Sequence, residues 1–210
     1  MPIYLTKKIG WHNSQMNADQ VIPIPQYVVL GMFVLAFGSI GWATMGGFFR
    51  KLDKEPAEVI GIKVIATLFV AVHLVVLLLQ DQILLMAAIA ATLLYGFSLL
   101  IFWSAIYVNW DYPLLYCFTE SASHNLVTEG PYRYIRHPFY LSYSLAWIAS
   151  IVASQELWLL TTAAAMIWIY YQAASREESQ WLTSPYADSY RAYMKTTGMF
   201  FPSFIFRQAS

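Results

Sequence analysis

The chain has 210 residues, the length of one domain. Apolar residues make up 59% and charged residues 11%, against roughly 25% charged in soluble domains. Twelve basic residues cancel twelve acidic ones. That balance excludes an electrostatic nucleic-acid binder, the apolar excess excludes disorder, and a single Cys117 excludes an intramolecular disulfide or a Cys-based zinc site.

What remains is an integral membrane protein. Residues 1–20 are polar and lack the apolar core of a signal peptide, so the first apolar stretch is expected to be a retained membrane helix. A span needs about 20 largely uncharged residues. Five stretches qualify as expectations: 25–49, 60–79, 83–108, 139–154 and 157–175. The second contains Lys63, whose stem can snorkel to the interface, and His73 deeper in. The fourth is short for a span. Small residues recur every four positions in Ser39-Ala43-Gly47 and in Ala146-Ser150-Ser154, a spacing that lets helices approach closely in lipid.

Gln80-Asp81-Gln82 and Gln155-Glu156 are links short enough to force helical hairpins. Longer polar stretches, 109–138 and 176–210, fall on the opposite side. Arg50, Lys51, Lys54, Arg133, Arg136, Arg176, Arg191, Lys195 and Arg207 all share that side if there are five spans, and the hairpin links carry no Lys or Arg. The positive-inside rule then puts the N-terminus outside and the C-terminus in the cytoplasm. The expected fold is all-α: one membrane domain over 1–210, a polytopic bundle of about five transmembrane helices with a cytoplasmic C-terminal helical segment.

Polar chemistry concentrates in residues 124–140 and 176–202. Gly130-Pro131 marks a turn. Pro138 suits the first turn of the fourth span, where no backbone N–H is needed. Arg136 and His137 would then sit at the membrane edge beside a helix N-terminus able to hold a carboxylate or phosphate. Tyr132, Tyr134 and Tyr140 add faces that attract cations, a sulfonium included. Further on, Glu177 and Glu178 can accept hydrogen bonds from ribose hydroxyls or pair with a cation. Tyr186, Tyr190 and Tyr193 recur at steps of four and three, one face of a helix. Neither His124 nor His137 has Cys or acidic partners at ligand spacing, so no metal is expected. His73 is a functional candidate by virtue of its depth, with an interhelical hydrogen bond as the competing role.

The run from His124 to Tyr140, His-Asn-Leu-Val-Thr-Glu-Gly-Pro-Tyr-Arg-Tyr-Ile-Arg-His-Pro-Phe-Tyr, resembles the signature of the isoprenylcysteine carboxyl methyltransferase family. Phospholipid N-methyltransferases share its Arg-His-Pro-x-Tyr core. Glu177-Glu178, Tyr186-Ala187, Tyr190, Tyr193 and Pro202 resemble that family's ending, and together the match covers about the last ninety residues. The resemblance implies a membrane-embedded enzyme that uses S-adenosylmethionine without a Rossmann domain. Carried over, it implies cofactor contacts from His124, Leu126, Val127, Gly130, Tyr132, His137, Pro138, Tyr140 and Glu178, with Glu177 as the alternative in register. The chain departs from the pattern at Tyr186-Ala187, in place of Phe-Gly, and at Ser142, in place of Gly. It departs again at Ala174, where the carboxyl methyltransferases carry an Arg; the nearest here is Arg176.

The expected reaction is methyl transfer to a lipophilic or small acceptor that enters sideways from the bilayer, in the first instance O-methylation of an isoprenylcysteine-like carboxylate. Arg136 with the start of the fourth span would hold the cofactor's carboxylate. Arg136, Glu177 and Glu178 are the catalytic candidates, and an amine or thiol acceptor would need one of the Glu residues as base. The alternatives are a phospholipid N- or thiol S-methyltransferase, an NADPH-dependent enzyme resembling sterol reductases, and a non-catalytic assembly subunit. The expected partners are bilayer lipid and a lipophilic substrate, with no nucleic acid.

Overall fold

The computed structural model describes residues 24–49, 56–111 and 126–203. Six helices carry the fold: α1 (Ile24–Trp42), α2 (Ala57–Leu79), α3 (Leu85–Val108), α4 (Pro138–Ser154), α5 (Leu160–Thr183) and α6 (Ala187–Thr196). Short turns flank them: a π turn Ala43–Gly47 extends α1, and 3₁₀ turns Gly130–Arg133 and Leu157–Leu159 precede α4 and α5. No strand occurs among the described residues; one isolated parallel bridge joins Ile135 and Gly198. The fold is a polytopic helical bundle.

Among the described residues, four helices are long and apolar enough to cross a membrane: Ile24–Gly47, Ala57–Leu79, Leu85–Val108 and Leu157–Thr183. The fourth expected span is the exception. α4 has 17 residues, about 25 Å of helix against a hydrocarbon thickness of about 30 Å. It is nonetheless the most deeply enclosed helix. Its residues from Tyr140 to Ser154 are mostly buried, and α3 is its closest neighbour. A helix surrounded by other helices needs little contact with lipid, and α4 supplies the inner wall on which the rest assemble.

Small side chains make that close packing possible. Ala146, Ser150 and Ser154 are all buried, and Ser98 on α3 donates to the Ser142 carbonyl at 2.7 Å. Of the other small-residue row only Ala43 is buried. α1 instead presents Phe33 and Phe37, with Phe33 against Tyr95 and Phe37 edge-on to Trp147 at 4.9 Å. Bulky rings therefore set the approach of α1, and its small row turns partly outward.

Polar ties fix the bundle where backbone groups would otherwise be orphaned. On the side away from α6, Gln26 donates to the Gln80 carbonyl at 2.7 Å and Gln80 donates to the Ser154 carbonyl at 2.6 Å. These bonds satisfy the last carbonyls of α2 and α4. Gln155 ends α4 in the left-handed conformation. Just inside that end, the fully buried His73 meets Ser150 Oγ at 2.5 Å and Thr162 Oγ1 at 2.7 Å. One imidazole thus links α2 to α4 and α5.

α5 runs past Ser175 without a break, carrying Arg176-Glu177-Glu178 on its last turns. α6 folds back on it. Trp181 stacks on Tyr190 at 5.5 Å and 10°, and the Tyr193 hydroxyl donates to the Tyr132 carbonyl at 2.6 Å.

Candidate active site

The site forms where α4 begins and α5 ends. Gly130 opens the turn that leads into it, with φ 55°. A Cβ at that position would meet Val108 Cγ2 at 2.5 Å, so both the backbone angle and the close approach of α3 require glycine. Tyr132 is buried behind the turn and its hydroxyl accepts from Asn109 Nδ2 at 3.1 Å. Burial pushes the Tyr132 phenol well above its usual range and the Tyr193 phenol up to about 12. Both stay neutral and act as hydrogen-bonding struts.

Residues 134–137 then pair with the stretch after α6. Arg136 N–H donates to Gly198 O at 2.8 Å, His137 N–H to Met199 O at 3.1 Å, and Gly198 N–H to Tyr134 O at 3.3 Å. This short ladder holds His137 out of the helical region, at φ -123° and ψ 66°, which a following proline requires. Arg136 and His137 are thereby aimed at α5.

There they meet the two acidic residues. Arg136 Nε donates to Glu178 Oε1 at 2.7 Å, with a second, longer bond of 3.4 Å from Nη2 to Oε2. Its Nη1 donates to the Thr197 carbonyl. His137 Nε2 lies 3.1 Å from Glu178 Oε1, and Nδ1 lies 3.6 Å from Glu177 Oε2. Tyr140 donates its hydroxyl proton to Glu177 Oε1 at 2.5 Å. The side chains of Arg136, His137 and Glu178 are at most 9% exposed, whereas Glu177 is 32% exposed. Burial works against a charged imidazole, but the hydrogen bonds and negative charges of Glu177 and Glu178 outweigh it and hold His137 above its ordinary value. A protonated His137 would join the Arg136 guanidinium in balancing the two carboxylates, the pairing that ionisable groups in a low-dielectric pocket need.

Aromatic rings line one flank. His137 stacks on Tyr140 at 5.7 Å and 20°, Tyr140 on Tyr170 at 5.7 Å and 10°, and Phe200 lies 6.1 Å from His137. Tyr143 packs edge-on against both Tyr140 and Tyr170.

The structure brings together Arg136, His137, Pro138, Tyr140, Glu177 and Glu178. Tyr132 and Gly130 stand behind them as support. Leu126 and Val127 are half-buried at the entry to the turn. His124 lies outside the described residues, as do Arg50, Lys51, Lys54, Cys117, Glu120 and Arg207. Ala174 is buried, and Arg176 turns away to pair with Glu58 on α2 at 2.9 Å. Among the described residues, no group of three or more His, Cys, Asp and Glu side chains could hold a metal ion. Sequence reading missed Tyr143, Tyr170 and the backbone of 197–199. Tyr143 follows Tyr140 by three and Tyr170 precedes Glu177 by seven, both same-face helical spacings that could have revealed the rings. The backbone contacts leave no side-chain signal.

A buried charged cluster in a membrane bundle, faced by stacked tyrosines, is a candidate site for a polar ligand at the membrane edge. A family model described as Phospholipid methyltransferase matches residues 83–189, half of the chain. The protein belongs to that family and is a membrane methyltransferase; the match does not single out isoprenylcysteine carboxyl methyltransferases. No curated protein matches the chain.

Proposed function

We infer that the enzyme uses S-adenosylmethionine and methylates an acceptor drawn from the bilayer. The observation that carries this reading is the convergence of His137 and Tyr140 with Glu177 and Glu178. The donor set suits the cofactor: carboxylate oxygens accept from ribose hydroxyls or an ammonium, and tyrosine faces attract a sulfonium. Asn109 Oδ1 adds a buried acceptor with no hydrogen-bond partner among the described residues. His124, Leu126, Val127 and Tyr132 extend the proposed cofactor wall along 124–140. When bound, the cofactor supplies a methyl group on a cationic sulfur, already activated for displacement.

The protein's own task is positioning and proton handling. Arg136 holds Glu178 in place, and His137 spans the two carboxylates. Glu177 is the more accessible acid and takes a proton if the acceptor is an amine: the nitrogen gains the methyl group and loses a proton to the carboxylate. The arrangement favours an amine over a carboxylate acceptor, because the two nearby guanidinium groups are committed to carboxylates of the protein, Arg136 to Glu178 and Arg176 to Glu58. The site faces the cytoplasm in this reading, with the N-terminus outside.

The test is labelling of a lipid extract with methyl-labelled S-adenosylmethionine. The wild type transfers label to an amine-bearing lipid. Tyr140→Phe and Glu177→Gln each cut the rate at least about a hundredfold, the usual scale of a lost general base or its partner. Label appearing as a base-labile ester would instead assign the carboxylate acceptor, and full activity in both variants would refute the site.

A further inference from the structure

An apolar groove of about 190 Å³ runs between α1, α2, α4 and α5. On α2 it extends from Ile62 to Val70, about 12 Å of helix. Its mouth lies towards the charged cluster, since Glu58, one turn before Ile62, pairs with Arg176 at that end of α5. Met45 and Thr67 on its rim are exposed, so it opens sideways as well. Its other end is blind. There Phe37 and Trp147 pack edge-on at 4.9 Å and Met166 is fully buried. His73 closes the space beyond, its ring 4.9 Å from that of Trp147.

Trp147 is the fixed part of this floor. It is buried, and its Nε1 donates to the Tyr170 hydroxyl at 3.1 Å. Tyr170 in turn stacks on Tyr140, which donates to Glu177. Tyr140 precedes Trp147 by seven residues of α4, about 10 Å along the axis. A ligand whose apolar end rests on Trp147 therefore has its other end at the level of Tyr140. The lining offers no uncommitted charge: Lys63, at the mouth, already has a partner within the protein. Thr44 and Thr67 donate to helix carbonyls. Gly41 on α1 borders the groove, and a Cβ there would meet nothing within 4 Å. In a bilayer an apolar chain is out of water wherever it lies, so shape rather than transfer from water decides what fills the groove.

We propose that this groove is the tail pocket of the methyl acceptor and that Trp147 sets its depth, limiting the tail to one apolar group of about six to eight carbons, since a cavity of about 150 Å³ holds a benzene. The assignment rests on the methyl-transfer reading for its link to catalysis. Under it the acceptor is a lipophilic amine with a single short tail, not a lipid with two long chains. Trp147 touches no reacting atom; it sets how far the tail goes in and hence where the amine stops.

Two measurements on the full chain in nanodiscs test it. The first needs no catalysis. An octylamine whose tail ends in a diazirine is photolysed, and unlabelled alkylamines of four to sixteen carbons compete at equal mole fraction in the bilayer. The probe labels Val70, Trp147 or Met166 despite the excess of diacyl lipid. Competition is strongest at about six to eight carbons and at least about tenfold weaker at sixteen, where the tail overfills the groove. Gly41→Leu narrows the groove and lowers labelling at least about tenfold. Leu68→Ala, at an exposed position on α2, leaves it unchanged. Labelling that misses the floor, or competition that does not fall at sixteen carbons, overturns the assignment. The second measurement follows methyl transfer along the same amine series. Trp147→Leu moves the optimum of kcat/KM to longer chains and Gly41→Leu moves it to shorter ones. An optimum that neither variant moves contradicts Trp147 as the floor. Floor labelling without any methyl transfer by the wild type would sink the methyltransferase chemistry and spare the groove; transfer without floor labelling would do the reverse.

Discussion

His137 is the residue on which the cluster's charge balance turns. Its imidazole lies between two carboxylates and is held above its ordinary value by them. In the unfolded chain it titrates near about 6.5. A raised folded value means that the protonated imidazole stabilises the fold fully below that pH and that this contribution is lost as pH rises through the folded value. Thermal unfolding midpoints of the detergent-solubilised protein, measured from acid to alkaline pH, should fall over that window. His137→Gln should remove this part of the slope; an unchanged slope would mean that His137 is neutral in the fold. Glu178→Gln leaves Arg136 and His137 without their shared counter-charge, and breaking a buried pair in this way costs about 3–5 kcal/mol. Glu177→Gln, at a half-exposed position, should cost far less stability. The two acids were indistinguishable in sequence, one residue apart. Burial separates them, as Glu178 pairs with Arg136 while Glu177 accepts from Tyr140.

Among the elements, the turn at Gly130 and the buried helix α4 place everything else. Gly130→Ala forces a left-handed angle on alanine and drives its Cβ into Val108, a loss of about 1–3 kcal/mol. Val108→Ala in the same chain should return the steric part and leave the backbone part, a difference a double-mutant cycle reads directly. His73 belongs to this scale too. Its bonds to Ser150 and Thr162 tie three helices together, and such interhelical bonds in membranes average about 0.6 kcal/mol. His73→Phe should lower stability by about 1 kcal/mol while methyl transfer persists; complete loss of transfer with the fold intact would move His73 into the site. Apolar runs and the Arg-His-Pro step announced α4 and its start. Nothing in them showed that α4 would be the inner wall, because a short apolar stretch reads alike whether lipid or protein surrounds it. That distinction came from Ser142, Ala146 and Ser150, whose small size admits α3.

At the scale of the molecule, a bundle with four long apolar helices and one enclosed short one gathers its chemistry at one end. The sequence carried the membrane class, the helical fold and most residues of the candidate cluster, because span length and motif order are local. It did not carry the pairing of 134–137 with 197–199, which is made by backbone atoms sixty residues apart. Nor did it carry the groove, whose lining comes from four helices. The central claim is that the cluster at the start of α4 and the end of α5 is a cradle for S-adenosylmethionine. Calorimetric titration of the full chain in nanodiscs tests it most directly. Saturable heat with S-adenosylmethionine and none with NADPH, weakened at least about tenfold by Tyr140→Phe in a protein with wild-type helicity, is the expected result; a tenfold loss corresponds to about 1.4 kcal/mol. Binding of NADPH instead, or equal affinity for S-adenosylmethionine in wild type and Tyr140→Phe, would contradict it.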